Sequence, residues 1–241
     1  MAYFTLELQD SVYVLTMING DKGNVMDDAW LDELTVHLDA IEADPAANRA
    51  LVLASNHEKA WSNGIDLDYI RSKGMAYLFD HFVPRLDGFL GRIAWLNLPT
   101  VACISGNAYG GGALIASACD FRTMRADRGR ICFPEIDLKL GLSPAMVECV
   151  NTLPNEQARW EMVMTGRALG GVFNLPGLVM VLHGGDGNGW GQMCHFRRSY
   201  AASCCGHSSD SAMHHMVKAI RVSSTRQARG VASKGRSRRA P

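Results

Sequence analysis

The chain has 241 residues, of which 47% are hydrophobic and 20% charged, as expected for one globular domain with a small appendage. Its apolar runs are far too short to cross a membrane, and no basic segment followed by an apolar one opens the chain, which argues against a membrane protein and a secretory signal. The seven cysteines show no paired spacing, so we expect free thiols in a reducing compartment. Because residues 238–241 do not match a peroxisomal signal, the predicted location is the cytoplasm.

The charges are distributed unevenly along the chain. Residues 1–171 contain 14 Lys and Arg against 22 Asp and Glu, whereas residues 172–241 contain 10 against 2. Beyond residue 197 the sequence is rich in Ser, Arg, Ala and Gly with hardly any apolar periodicity, a composition typical of disorder. We therefore predict a folded core at 1–171 and an atypical basic tail at 172–241 that is largely disordered.

The origin and partners of this basic tail stay open at the level of sequence. A basic extension can bind nucleic acid or anionic lipid, but only the Arg-rich segment 234–239 supports it, so nucleic acid is not the favoured partner. The abrupt change in composition would also fit translation in another reading frame. The histidines and cysteines at 204–215 match no standard zinc spacing, and no metal site is predicted.

Strands and helices are predicted to alternate along residues 1–171. Short apolar runs and apolar-polar alternation predict strands, while helical periodicity and capping residues predict helices. In chain order the elements are strands at 3–8 and 12–17, a helix at 27–44, a strand at 50–54, helices at 66–73 and 76–96, a strand at 100–104, a helix at 113–119, strands at 121–124 and 130–133, a helix from 143 and one at 155–164. Trp61 and Trp95 are expected to pack in the core. This order predicts the α/β fold class.

Two glycine-containing loops each follow a short strand and precede a helix. They lie at residues 59–66 and 105–112. Glycine permits positive φ angles and close approach of a ligand, so such turns can direct backbone N–H groups at one point. A Pro-Glu dipeptide at 134–135 follows the second loop, and a carboxylate there can move a proton. Together these features predict a site that stabilises an enolate.

Several motifs occur in a characteristic order: AWSNGID at 60–66, GNAYGGG at 106–112, FPE at 133–135 and TGR at 165–167. With this set, residues 1 to about 171 resemble the enoyl-CoA hydratase/isomerase family, also called the crotonase superfamily. The segments 124–129 and 133–137 are similar to the family's Δ3,Δ2-enoyl-CoA isomerases. The resemblance implies a core of repeated ββα units wound into a spiral and an acyl-CoA thioester as the substrate.

The resemblance also implies roles for individual residues. It implies an oxyanion hole made by the backbone N–H groups of Asn63 and Gly111, which would bind the thioester oxygen. The substrate-binding positions that it implies are Ala60, Ser62, Gly64, Ile65, Gly110 and Leu114. No cofactor is implied, because CoA is part of the substrate. A homotrimer is implied as well, although the basic tail replaces the helices that usually build it.

Leu114 and Glu135 distinguish between the reactions of the family. Its hydratases use two glutamates to hold and activate water, and the first of these positions is Leu114 here, while the second is Glu135. One carboxylate can take the C2 proton of a 3-enoyl-CoA and return it at C4, so we expect an isomerase with Glu135 as its single acid/base. A hydratase-like enzyme and a catalytically impaired acyl-CoA-binding protein are the alternatives. Asp137 and Glu148 are substitute candidates for the base.

Overall fold

The computed structural model describes residues 2–46, 49–125, 128–153, 155–170 and 180–182, which form two β-sheets flanked by helices. In chain order the strands are β1 (Phe4–Gln9), β2 (Val12–Met17), β3 (Ala50–Ser55), β4 (Ala60–Ser62), β5 (Thr100–Ile104), β6 (Asn107–Tyr109), β7 (Phe121–Arg125), β8 (Arg130–Cys132), β9 (Leu169–Gly170) and β10 (Met180–Leu182). The larger sheet has the order β1-β2-β3-β5-β7-β10 and the smaller one the order β4-β6-β8-β9.

The larger sheet begins with an antiparallel hairpin and continues with parallel strands. Asp10 and Ser11 connect β1 to β2 with φ angles of 46° and 72°, the backbone of a tight two-residue turn. The six residues of β2 are all buried, because this strand lies between β1 and β3. A strand inside a parallel sheet is covered on both faces, which explains the continuous apolar runs of the sequence.

The helices are α1 (Asp28–Glu42), α2 (Leu67–Lys73), α3 (Met75–Tyr77), α4 (Val83–Ala94), α5 (Gly111–Ala118), α6 (Pro144–Asn151) and α7 (Glu156–Thr165). Short 3-10 turns cover Gly20–Lys22 and Pro134–Ile136. Side-chain oxygens of the preceding residues cap four of the helices, and these N-caps are Asp27, Asp66, Ser143 and Asn155. The caps explain why these helices begin where the sequence predicts.

The helix predicted at 76–96 is interrupted. Leu78–Phe82 forms π-helix between α3 and α4, and the Val83 N–H donates to the Leu78 carbonyl five residues earlier. The physical reason is Pro84, which has no N–H and whose ring clashes with the carbonyl four residues before it in a regular α-helix. The wider π turn gives the chain room to pass this proline.

The repeated ββα arrangement expected from the sequence is confirmed. β3, β5 and β7 of the larger sheet lead into β4, β6 and β8 of the smaller sheet, respectively. A helix or helical turn follows each pair: α2, α5 and the turn Pro134–Ile136. Because β4, β6 and β8 are parallel neighbours, the loops that follow them meet at one edge of the smaller sheet.

The main apolar core lies between the larger sheet and the helices, with α1, α4 and α5 contributing buried side chains. Trp61 is fully buried there, as predicted. Trp95 is 88% exposed, which contradicts the prediction, because it follows the last residue of α4 and projects beyond the packed face. At the other end of these helices, the Asp28 carboxylate accepts hydrogen bonds from Tyr69, Tyr77 and Arg85 and ties α2, α3 and α4 to α1.

The larger sheet extends beyond the predicted core boundary at residue 171. β10 pairs in parallel with β7, with Met180 opposite Thr123, so the chain returns to the sheet within the predicted tail. Residues 171–179 and 183–241 lie outside the described residues, and so do the predicted disorder and the histidines and cysteines at 204–215. Within the described part of the chain, no helix is long and apolar enough to span a membrane, and no three metal-binding side chains cluster.

Candidate active site

The first glycine loop links β4 to α2. Gly64 has a φ angle of +82°, which glycine adopts without strain. The Asp66 carboxylate accepts the N–H groups of Asp68 and Tyr69 at 3.0 and 2.9 Å and so starts α2 immediately after the loop. The loop therefore has a strand on one side and a capped helix on the other, and its backbone is held at both ends.

The second glycine loop links β6 to α5. Gly110 has a φ angle of +51°, and its N–H donates to the Cys132 carbonyl of β8 at 3.0 Å. Gly111 is the first residue of α5, a short helix whose residues are all buried. The N–H groups of a first helical turn have no acceptor within the helix, and they lie at its positive end.

The two loops touch through backbone atoms. A β-carbon on Gly64 would stand 2.7 Å from the Tyr109 carbonyl oxygen and 2.8 Å from the Gly111 nitrogen. A β-carbon on Gly112 would overlap the Ser62 carbonyl oxygen. Glycine is required at these positions because any side chain would separate the loops.

Asn63, which the sequence predicts as an oxyanion donor, has its N–H occupied. That group donates to the Gly23 carbonyl at 2.9 Å, so it is not available to a substrate in this structure. The sequence shows that residue 63 lies in the loop. It does not show which N–H of the loop forms a hydrogen bond with the segment 23–26.

Ile65 carries the N–H that the first loop leaves available. The Gly64 carbonyl accepts the Met26 N–H at 2.9 Å, and the Asp66 N–H donates to the Met26 carbonyl at 2.9 Å. In a trans peptide the C=O and N–H point in opposite directions, so the Ile65 N–H is directed away from Met26. Among the described residues, neither this N–H nor that of Gly111 has an acceptor. A β-carbon on Gly111 would lie 3.7 Å from Ile65 Cγ1, so the two residues are neighbours.

Glu135 stands against the second loop. Its Oε1 lies 3.6 Å from the point where a β-carbon of Gly110 would be. The turn Pro134–Ile136 holds it there, with the Leu140 N–H donating to the Glu135 backbone carbonyl at 2.9 Å. Glu135 Oε2 is buried and has no hydrogen-bond partner within the described residues. Burial raises the pKa of this carboxyl above its ordinary value.

The other candidate carboxylates lie elsewhere. Asp137 is exposed, and its carboxylate faces Gly166 at the end of α7. Glu148 is an exposed residue of α6. Leu114 is 1% exposed in the first turns of α5 and contributes an apolar side chain to the core. Of these residues, only Glu135 places a carboxylate beside the glycine loops.

Two predicted substrate-binding residues turn inwards instead. Ser62 is fully buried, and its hydroxyl donates to the Asn24 carbonyl at 2.9 Å while accepting the Gly64 N–H at 3.2 Å. Ala60 is 5% exposed, and its N–H donates to His57 Nδ1 at 3.2 Å. Ser62 and Ala60 therefore support the first loop rather than line an open path, because all three residues of β4 are buried.

Asn24 and Met26 are residues of the site region that sequence reasoning missed. They belong to the segment below the first loop, nearly 40 residues earlier in the chain, and both are fully buried. The Gly-Asn dipeptide at 23–24 is a signal for a left-handed turn. Nothing in its sequence indicates contact with the glycine loop.

The ββα units that run between the two sheets and the paired glycine loops define a crotonase-type α/β protein. A solved structure described as an enoyl-CoA hydratase/isomerase (crotonase) from Legionella pneumophila aligns with a TM-score of 0.68 at 22% identity, covering 100% of this chain and 85% of that one. A family model described as enoyl-CoA hydratase/isomerase matches residues 7–172. The chain belongs to the enoyl-CoA hydratase/isomerase family.

Relatives of this chain carry both reaction names of the family. Enoyl-CoA delta isomerase 1, peroxisomal, from Arabidopsis thaliana is 27% identical over 164 residues, covering 67% of this chain and 66% of the relative. A probable enoyl-CoA hydratase from Rhizobium meliloti is 30% identical over 173 residues, covering 70% of this chain and 64% of the relative. The chain thus matches just under two thirds of the length of each.

Proposed function

We propose that this protein is a Δ3,Δ2-enoyl-CoA isomerase that acts through a thioester enolate. The observation that carries the proposal is one carboxylate, that of Glu135, which has a buried oxygen and stands against the second of two neighbouring glycine loops. The N–H groups of Ile65 and Gly111 serve as the oxyanion hole for the thioester oxygen. An oxyanion donor is typically worth about 3–4 kcal/mol of barrier, because it binds the charge that develops as the proton leaves.

The reaction then needs one residue to move one proton. The Glu135 carboxylate takes a proton from C2 of the 3-enoyl-CoA, where the carbanion is stabilised by both the carbonyl and the C3=C4 bond. The electron pair moves onto the thioester oxygen to give a dienolate. Protonated Glu135 returns the proton at C4, and the product is the conjugated 2-enoyl-CoA. A raised pKa suits a group that must both accept and donate this proton.

Leu114 supports isomerisation over hydration. Adding water needs a held water molecule and proton transfer at two places, whereas the buried side chain of Leu114 offers no hydrogen bond. The substrate class follows the names of the relatives, one of which is a fatty acid oxidation complex subunit alpha from Idiomarina loihiensis. We accordingly assign the reaction to fatty-acid β-oxidation, with no cofactor other than the CoA of the substrate.

A hydratase-like activity is the second candidate, because relatives of similar identity are named hydratases. In that case Glu135 would activate water in place of moving a carbon-bound proton. The third candidate is an acyl-CoA-binding protein without turnover. Both alternatives have measurable signatures that differ from isomerisation.

The test is conversion of trans-3-hexenoyl-CoA to trans-2-hexenoyl-CoA, followed by the absorbance of the conjugated thioester. We expect turnover by the wild type and a loss of at least about 100-fold in Glu135→Gln, the size typical of a general acid–base residue. Glu148→Gln is the matched control, because Glu148 is exposed on α6, and it should retain wild-type turnover.

Two further measurements distinguish isomerisation from hydration and from binding without turnover. Hydration would appear as loss of absorbance when trans-2-hexenoyl-CoA is the substrate, and faster hydration than isomerisation would favour the hydratase. In deuterated water, enolate formation places deuterium at C2 even when isomerisation does not finish. Binding without turnover and without deuterium exchange would overturn the enzymatic proposal.

A further inference from the structure

Asn24 occupies a buried, left-handed position beneath the first glycine loop. It is fully buried, and its φ angle is +50°. Its side-chain amide donates to Ser55 Oγ at 2.8 Å and to the Trp61 carbonyl at 3.0 Å. Both hydrogens of the amide thus bind the chain that enters the loop, on either side of the turn between β3 and β4.

The backbone of Asn24 continues this network into the loop itself. Its carbonyl accepts the Ser62 hydroxyl at 2.9 Å, and the Ser62 oxygen in turn accepts the Gly64 N–H at 3.2 Å. Gly64 is joined to Ile65 by the peptide whose N–H is left without an acceptor among the described residues. Two hydrogen bonds therefore separate Asn24 from the residue that orients this peptide.

The position is energetically unfavourable by local criteria. A non-glycine residue with positive φ is uncommon, although Asn tolerates it better than most. Asn24 Oδ1 is also buried with no partner within the described residues. Strained backbone and unpaired buried atoms concentrate where the surrounding structure serves a site. Here the strained residue contacts strands β3 and β4 immediately before the loop.

We propose that Asn24 is a positioning residue that sets the orientation of the Gly64–Ile65 peptide and hence of the first oxyanion donor. The inference rests on the proposed function. Asn24 does not touch the reacting atoms, and it acts through Ser62 and the Trp61 carbonyl. Because an oxyanion donor binds developing charge more strongly than the ground-state carbonyl, misorientation should lower kcat much more than it changes KM.

The variant Asn24→Gly tests this role, because glycine keeps the left-handed backbone and removes only the amide. We expect kcat for trans-3-hexenoyl-CoA to fall by about 100-fold, the effect typical of a displacement on the scale of an ångström. Ser62→Ala breaks the same network at its next link and should show the same split between kcat and KM. The Asn24 amide and the Ser62 hydroxyl hold the same loop through different contacts, so their effects should be coupled, and the double variant should lose less than the product of the two single losses.

Thr100→Val is the matched control for loss of a buried polar contact. Thr100 is the first residue of β5, at the end of the strand remote from the second glycine loop, and it is 1% exposed. Its hydroxyl donates to the Asp120 carboxylate and accepts the Asp120 N–H. The control should lower the melting temperature and leave kcat unchanged. An Asn24→Gly variant that is destabilised to the same degree but keeps wild-type kcat would overturn the inference.

Amide hydrogen exchange of the protein without substrate is a second measurement of how Asn24 positions the loop. The Gly64 N–H, which donates to Ser62 Oγ, should exchange faster in Asn24→Gly than in the wild type and Thr100→Val. Unchanged exchange at Gly64 would contradict the inference whatever the activity. Absent wild-type turnover combined with faster Gly64 exchange would reject the proposed function while leaving the positioning of the loop by Asn24 supported.

Discussion

Three polar groups at the candidate site lack partners within the described residues: the N–H groups of Ile65 and Gly111 and Oε2 of Glu135. A polar group withdrawn from water without a partner costs about 1–3 kcal/mol, so most such groups in folded proteins are paired. These three groups lie beside the contact between the glycine loops, and this grouping distinguishes the candidate site from the rest of the described structure. An incoming thioester would supply the missing acceptor for the first two and the proton for the third.

Glu135→Gln should stabilise the protein while removing the proposed activity. Burial raises the folded-state pKa of Glu135, so the folded protein binds a proton more tightly than the unfolded chain. Below the pKa that Glu135 has in the unfolded chain, the carboxyl is protonated in both states and the wild type keeps its full stability. As pH rises from there through the pKa of Glu135 in the folded protein, the wild type loses stability. Glutamine carries no charge at any pH, so the advantage of the variant should grow with pH across this window and then remain constant.

The measurement is the melting temperature of both proteins from pH 4 to pH 8. Equal melting temperatures throughout this range would mean that Glu135 ionises as freely in the folded state as in the unfolded one. A variant that is less stable at high pH would show that the Glu135 carboxylate has an ion-pair partner instead.

At the scale of elements, contact between β4 and the start of α5 brings the site together. Each loop is short and is bounded by elements that pack tightly, and glycines at 64 and 112 allow the backbones to meet. The parallel pairing of β4 with β6 sets the register of the two strands, and with it the positions at which the two loops leave the smaller sheet. The geometry of the donors is therefore set by sheet register and by glycine together.

Gly112→Ala should separate the two loops. The added β-carbon would overlap the Ser62 carbonyl oxygen and lie 2.8 Å from Ser62 Cβ, and overpacking of this kind typically costs about 1–3 kcal/mol. We expect lower stability in chemical denaturation and a lower kcat/KM. Gly88→Ala is the matched control, because no atom lies within 4 Å of its β-carbon position in α4. That control should be more stable by about 0.5–1 kcal/mol, as alanine is favoured over glycine in a helix. Equal behaviour of the two variants would contradict the tight contact.

At the scale of the whole molecule, the buried apolar side chains form a main core and a smaller cluster on β2, β3 and β5 of the larger sheet. Among the described residues, the free cysteines are Cys103, Cys119, Cys132 and Cys149, and all four are buried although they come from separate elements. Burial raises the pKa of the Cys119 thiol to about 12 and that of the Cys132 thiol to about 11. The thiolate is the reactive form, so Cys119 and Cys132 are protected from alkylation both by burial and by the raised pKa of their thiols.

Alkylation of these four cysteines should therefore report global unfolding. With iodoacetamide at pH 8, we expect slow modification of all four at similar rates in native protein and rapid modification in denaturant, measured by peptide mass spectrometry. Because all four thiols are buried in the folded protein, each is exposed only when the elements around it open, and cooperative unfolding in denaturant should accelerate all four together. Rapid native modification of one cysteine alone would indicate a locally open element around it.

The sequence by itself determined the fold class, the order of nearly all elements and the two glycine loops, and it singled out Glu135 as the candidate base. Hydrophobic periodicity, capping residues and the glycines that end strands and helices are local signals. The local interactions that they indicate are also present in the folded chain. The interruption of the helix at Pro84 is a local effect as well, but its π-helical form depends on how α4 docks on the core. The exposure of Trp95 and the return of the chain to the sheet at 180–182 have no local signal.

Only the tertiary structure decided which peptide of the first loop faces the site. The exchange of Asn63 for Ile65 as the available donor depends on hydrogen bonds to Gly23 and Met26, roughly 40 residues earlier in the chain. The inward orientation of Ser62 depends on Asn24 in the same way. Motifs identify which segments form a site, but the direction of each N–H is set by the distant backbone against which the segment packs.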